Sequence, residues 1–223
     1  NYTFSFVSGT LSVTPAQLTG TADAKSRLYG AVNPPFTVTY TGFVNGQNAS
    51  VVTKQYDDGG VYEGTFKNGL QHGTGTYRLP NGYEYTGTFI NGEILGEGVA
   101  NFPNGSVYEG SFAKGKPEGQ GKITFADGGT YSGSWADGKI TGSGIATYAN
   151  GSIYEGAFRN AMHHGRGVMT NPDGYRYEGD WVDGVKEGTA EIAYPDGAIY
   201  KGAIVRGARE GRGVLEMSEG LIF

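Results

Sequence analysis

From Tyr62 onward, apolar and polar positions alternate in short runs broken by turn residues. Tyr62, Gly64 and Phe66 stand two apart, so on a strand they share one face while Glu63 and Thr65 share the other. A second alternating run follows a few residues later in each stretch: Tyr77/Leu79, Ala100/Phe102, Ile123/Phe125, Ala146/Tyr148, Ile192/Tyr194 and Leu215/Met217. Between the stretches lie Asn81-Gly82, Asn104-Gly105, Asp127-Gly128, Asn150-Gly151, Asp173-Gly174 and Asp196-Gly197, dipeptides that tolerate positive φ and join antiparallel strands. The pattern predicts a series of β-hairpins, each burying one face and each pairing edge to edge with the next.

The hairpins repeat with a fixed period. Tyr62, Tyr85, Tyr108, Tyr131, Tyr154, Tyr177 and Tyr200 are spaced 23 residues apart without an insertion. Two residues on comes a glycine: Gly64, Gly87, Gly110, Gly133, Gly156, Gly179 or Gly202. Two further on stands an aromatic, Phe66, Phe89, Phe112, Trp135, Phe158 or Trp181, with Ile204 in the last copy. Glycine also fills the twelfth position of every copy and the fourteenth of all but one, where Ala190 stands. Gly64 and its equivalents are expected to leave room where large rings from neighbouring strands approach the backbone. Two strands per copy advance a sheet by roughly 10 Å, so the seven copies predict a ribbon on the order of 70 Å long. Tyr56, Asp58 and Gly59 are in phase with Leu79, Asn81 and Gly82, which starts the sheet half a copy early, near Lys54.

The unit Y-x-G-x-(F/W)-x-x-G-x-x-x-G-x-G, in stretches such as YEGTFKNGLQHGTGTYRLPNG and YEGSFAKGKPEGQGKITFADG, resembles the MORN repeat over residues 56 to 222. Departures are Ala161 at the turn glycine, Ala190, Ile204, and Asn171 at the apolar eighteenth position. The resemblance implies an all-β fold: an elongated antiparallel meander of seven 23-residue β-hairpin repeats, preceded by a small β segment. It also implies roles in scaffolding, in contact with acidic phospholipids, or as a targeting arm, as in plant lipid kinases and a lysine methyltransferase that carry such repeats.

Residues 1–53 lack the period. Tyr2, Phe4 and Phe6, then Leu11 and Val13, alternate as short strands, and Asn33-Pro34-Pro35 and Asn45-Gly46 mark turns. Gly9-Thr10-Leu11, Tyr29-Gly30, Asn33-Pro34 and Gly42-Phe43-Val44-Asn45-Gly46 are similar to MBG modules of the YGX type, which occur in tandem in large bacterial surface proteins and adhesins. Residues 1–15 resemble the end of one such module and 16–53 the beginning of the next. Two units are therefore expected, a partial MBG-like segment at 1–53 and a repeat ribbon at 54–223.

Composition supports the division: 5 glycines precede residue 56 and 36 follow. Leu, Ile, Val and Phe make only 44 of 223 residues, and the 16 tyrosines supply much of the apolar surface. There is no cysteine, which excludes disulfides and thiolate metal sites. A net charge of −5 argues against non-specific nucleic-acid or anionic-membrane binding. The first residue, Asn1, is not followed by a leader-like run, so the sequence reads as a piece of a longer chain.

Candidate chemistry is sparse. His163 and His164 with Glu187 are the nearest approach to a metal site, and His72 and His164, at equivalent positions, stand four repeats apart, too far to share one. Glu63, Glu109, Glu155 and Glu178 recur on the polar side of the strand, a solvated ladder without the cleft that paired catalytic acids need. Gly73-Thr74-Gly75 and its equivalents precede no helix and so present no phosphate cradle. Aromatic stripes suit stacking when exposed, but period-two spacing places them in the sheet's own core. Arg206, Arg209 and Arg212 form the one local basic cluster, a candidate anion contact.

The sequence-based expectation is a non-enzymatic repeat scaffold without cofactor or metal. It would mediate protein–protein interaction, or act as a spacer, at a bacterial cell surface. Partners would be another protein, or a second copy pairing through the open sheet ends at Leu215, Met217 and Leu221-Ile222-Phe223. The alternatives are weak contact with acidic phospholipids and service as the targeting arm of a larger enzyme.

Overall fold

The computed structural model describes residues 19–26, 38–41 and 52–217. The expected strands at Tyr2–Val13, the turns at 33–35 and 45–46 and the apolar end at 221–223 lie outside the described residues. The described chain is entirely β. Strands β1 (Thr19–Ala22) and β2 (Val38–Thr41) form a two-stranded antiparallel sheet.

The rest is one open antiparallel sheet of 15 strands in which every strand pairs with its neighbours in sequence. Its first strand, β3, is Val52–Gln55. The hairpins that follow are β4 and β5 (Val61–Lys67, Leu70–Arg78), β6 and β7 (Glu84–Ile90, Glu93–Asn101), β8 and β9 (Val107–Ala113, Lys116–Thr124) and β10 and β11 (Thr130–Ala136, Lys139–Thr147). Three more complete the series: β12 and β13 (Ile153–Arg159, Met162–Thr170), β14 and β15 (Arg176–Val182, Val185–Ala193), β16 and β17 (Ile199–Val205, Ala208–Glu216). This is the meander predicted from the period, and at about 4.8 Å per strand it extends for roughly 70 Å.

The turns differ from the sequence-based reading in one respect. The Asn-Gly and Asp-Gly pairs do join successive hairpins, but only the glycine of each pair is left-handed, as at Gly82 (φ 92). There Gly82 N donates to Leu79 O (3.0 Å), Leu79 N donates to Tyr83 O (2.8 Å), and Tyr83 N donates to Asn81 Oδ1 (2.9 Å). This is a three-residue loop closed by a side-chain cap. The two-residue turns with both residues left-handed lie inside the copies, at Asn68-Gly69 (φ 52 and 78) and its equivalents. Asn160-Ala161 adopts the same turn (φ 50 and 63) with no glycine in it.

Each hairpin also carries a bulge. Gly64 faces Gly75 while Phe66 faces Gln71, so a two-residue step on β4 spans a four-residue step on β5. The surplus falls at the twelfth-position glycine, Gly73, whose φ is 77. The third- and fourteenth-position glycines serve the tyrosine instead. A Cβ on Gly64 or Gly75 would lie 2.4 Å from the Tyr62 hydroxyl oxygen. The ring that needs the space comes from the same strand, two residues back, and lies across the hairpin.

Candidate binding face

Register places Tyr62, Tyr77, Tyr85, Ala100, Tyr108, Ile123 and their successors in one row across the sheet. The repeat tyrosines in that row are buried, and six of them are among the largest fully enclosed side chains. Each hydroxyl donates to the carbonyl of the residue three positions on, for example Tyr108 to Ser111 O (3.0 Å) and Tyr177 to Asp180 O (2.8 Å). The same bond closes on Thr65, Thr88, Ser134, Ala157 and Ala203. Burial pushes the phenols of Tyr85, Tyr108, Tyr154 and Tyr177 up to about 12.

Each tyrosine from Tyr62 to Tyr154 meets two fifth-position rings edge to face, its own copy's and the next, and Tyr177 meets one. Tyr62 lies 5.0 Å from Phe66 and 4.9 Å from Phe89, and Tyr108 lies 5.0 Å from both Phe112 and Trp135. The contacts run unbroken from Phe66 to Trp181 and end at the last copy, where Ile204 replaces the ring. The ladder is the core of the sheet, as the period-two spacing predicts, and its rings are covered.

What covers them is a row absent from the repeat pattern. The tenth position sits opposite the fifth: Gln71, Ile94, Pro117, Ile140, His163, Lys186 and Arg209. Its carbonyl accepts a bond from the turn of the next copy, as in Gly92 N to Gln71 O (2.9 Å) and Ala161 N to Ile140 O (3.0 Å), so the turn rims are stitched together. Its side chain changes from copy to copy. Ile140 is buried. His163 stacks on Tyr154 with centroids 3.7 Å apart, and its Nε2 lies 2.6 Å from the Tyr148 hydroxyl. Burial, with the nearby Lys186 charge, pulls His163 down to about 4.

Lys186 Nζ lies 4.6 and 4.7 Å over the Tyr175 and Tyr177 rings and donates to Tyr175 Oη (2.9 Å). Burial lowers its pKa. Arg209 lies over Tyr194 and Tyr200 at 5.8 and 5.4 Å.

Beside these rows the face opens into shallow grooves. One of about 450 Å3 is lined by Tyr56, Gln71, Tyr77, Phe89, Ile94 and Lys114. Another of about 370 Å3 is lined by Tyr148, Ser152, Met169, Asn171, Tyr175 and Lys186. A third, of about 260 Å3, lies between Phe125, Tyr131, Ile140, Tyr148, Phe158 and Ala161. Phe125 and Tyr148 remain 38% and 39% exposed there.

The opposite face carries most of the sheet's charged side chains, several of them in ion pairs, together with the exposed Val99, Ile145 and Val214. Glu63 reaches Arg78 (3.5 Å), Glu178 reaches Arg176 (2.7 Å) and Arg166 (3.5 Å), and Glu191 reaches Lys201 (3.3 Å). Hydrogen bonds from Arg176 hold the Glu178 carboxyl below its usual range. Glu63, Glu109 and Glu155 are exposed on this side.

The sequence-level candidates for chemistry are not gathered by the fold. His163 turns onto the aromatic face, His164 Nδ1 accepts from Asp183 N (3.4 Å), and Glu187 accepts from Arg206 N (2.5 Å). The arginine cluster is divided. Arg206 is a turn residue (φ 50), Arg209 joins the aromatic face, and Arg212 is adjacent to Gly213, which lies under Tyr200, and so points to the other face. The cation that accompanies Arg209 is Lys186, one repeat earlier. Applying the 23-residue period to the variable positions as well as the fixed ones would have found that row.

The MORN-repeat family model matches residues 85–107, 108–130, 131–153, 154–174, 177–199 and 200–221, more than half of the chain. The chain belongs to the MORN-repeat family. The copy beginning at Tyr62 lies ahead of these six matches, yet it has the same bulge and the same tyrosine bond as the other MORN repeats. Residues 18–95 match the MBG domain (YGX type), a match that runs through β4–β6 and into the start of β7 of the MORN sheet. No curated protein sequence matches the chain.

Solved structures similar to the chain include the TCP domain of Drosophila melanogaster SAS-4 (dCPAP) in complex with a proline-rich motif of Ana2 (dSTIL). It is 15% identical, with 81% of this chain and 94% of that one covered and a TM-score of 0.44. The TCP10c domain of Drosophila melanogaster Sas-4 is 15% identical, with 78% and 96% covered and a TM-score of 0.41. The G-box domain of the microcephaly protein CPAP is 12% identical, with 78% and 96% covered and a TM-score of 0.43.

Proposed function

We propose that this MORN-repeat chain is a non-catalytic docking scaffold whose aromatic face seats a segment of a partner protein. The observation that carries the reading is the asymmetry of the sheet. One face holds the charges, several of them paired with each other, while the other presents partly exposed aromatic rings and open grooves along its length. A spacer alone would require neither the exposed rings nor the grooves.

The MBG match at residues 18–95 supports placing the scaffold in a large bacterial surface protein, and the change in glycine content near residue 56 supports a division into an MBG-type segment at 1–53 and a ribbon at 54–223. Selection of binders from a random peptide library tests the docking reading. Selected peptides are expected to lose binding on Tyr148→Ala and keep it on Glu155→Ala. Loss on Glu155→Ala alone places docking on the polar face and overturns the reading.

Self-association is a second route, because β3 and β17 each leave one edge unpaired among the described residues. Light scattering on the whole chain and on one ending at Gly197 checks it. A dimer lost with the deletion assigns the contact to the β17 end, and a concentration-independent monomer in both removes it.

A further inference from the structure

The charge on the aromatic face identifies what kind of segment fits. Along the tyrosine row and the tenth-position row, among the described residues, the charged side chains are Lys54, Lys186 and Arg209, all cationic, whereas Glu93 and Lys114 line the groove beside Tyr56 and Asp127 the one beside Tyr131. All three cations lie over tyrosine rings at 4.6 to 5.8 Å, and none has a carboxylate oxygen within 4.0 Å among the described residues. A desolvated ammonium without a counter-ion is costly unless a ligand supplies one. Lys186 Nζ has one hydrogen bond, to Tyr175, and lines the groove of about 370 Å3.

Spacing narrows the occupant further. Lys186 and Arg209 hold the same position in successive copies, two strands and so about 9.6 Å apart along the sheet. In a β-conformation peptide, residues three apart cover about that distance but point to opposite sides. In a polyproline II helix they cover about 9.3 Å and point to the same side, because that helix has three residues per turn. Aromatic-lined grooves suit it, since it arrives already extended and loses little entropy on docking.

We propose that the C-terminal part of the aromatic face binds an acidic polyproline II segment of a partner protein, with carboxylates three residues apart seated on Lys186 and Arg209. This rests on the docking reading above and adds the chemistry of the partner.

Fluorescence anisotropy with a peptide of four Glu-Pro-Pro units tests it, against four Gln-Pro-Pro units and a peptide with glutamate at every second position. The Glu-Pro-Pro peptide is expected to bind at least about tenfold more tightly than either. Lys186→Met and Arg209→Met should each weaken it about tenfold, while Lys201→Met on the polar face should leave it unchanged. Arg209 is exposed, so if Lys186→Met does not fold, Arg209→Met alone decides.

Equal binding of the Glu and Gln peptides overturns the charge assignment while library-selected peptides can still map to the face. Selected peptides that map to the polar face overturn the docking reading itself. Binding to phosphatidylserine vesicles that depends on Lys186, with no binding of the Glu-Pro-Pro peptide, replaces the partner protein by a membrane.

Discussion

His163 lies flat against Tyr154, with centroids 3.7 Å apart and planes 17° from parallel, and the burial that comes with this packing makes the histidine one source of acid sensitivity. The imidazole is held down to about 4, chiefly by burial, whereas an unfolded histidine titrates near 6.5. Below about pH 6.5 the unfolded chain takes up the proton first, so stability contributed by the neutral ring falls as pH drops from about 6.5 to about 4. Urea unfolding between these limits should show that loss in the native protein, and a shallower one in His163→Gln.

The tyrosine ladder sets the alkaline limit by the opposite sign. The phenols raised to about 12 stay neutral in the fold after unfolded tyrosines have begun to ionise near pH 10. Their contribution is complete below about pH 10 and is lost between there and about pH 12. Phenolate absorbance should therefore rise in two stages, the second coinciding with loss of the β circular-dichroism signal. A single stage near pH 10 with the fold intact would contradict the buried hydroxyl bonds.

Ala161 occupies a left-handed turn position that glycine fills in the other six copies. An L-residue there costs about 1–2 kcal/mol, and Ala161 is exposed, so little packing is lost on replacement. Ala161→Gly should stabilise the protein by about 1 kcal/mol in denaturant unfolding, and Gly138→Ala should destabilise it by a similar amount.

Trp135 is 7% exposed, packs against Tyr108 and Tyr131, and donates its indole N–H to Gly121 O (3.2 Å). Trp135→Ala should cost about 3–5 kcal/mol, against less than about 1 kcal/mol for Glu109→Ala on the polar face. Equal small losses would mean that the two faces are assigned in reverse.

The fixed positions of the repeat made the fold legible. Tyr62 and Phe66 recur because the ladder is built from their rings, and Gly64 and Gly75 recur because a Cβ there would crowd the ring, although Ala190 takes the Gly75 position in one copy. The bond from each tyrosine hydroxyl was not legible, because its acceptor is a backbone carbonyl and any residue supplies one, Thr65 and Ala157 alike. The division of turn types was hidden because Asn-Gly suits both loops, and the cap from Asn81 to Tyr83 N depends on loop length. The candidate site was least legible. Lys186 and Arg209 occupy a variable position, and their shared face follows from the bulge at Gly188 and Gly211, which sets the tenth position opposite the fifth.

Hydroxyl-radical footprinting of the protein with and without a library-selected peptide tests the central claim, that the aromatic face is the docking surface. Phe125, Tyr148 and Met217 on that face are 37% to 39% exposed, and Val99, Ile145 and Val214 on the opposite face are 36% to 45% exposed. Both faces therefore start from comparable accessibility. Oxidation of Phe125 and Tyr148 should fall on binding while that of Ile145 and Val99 stays constant, and protection of Ile145 and Val99 with Phe125 and Tyr148 unchanged would contradict the account.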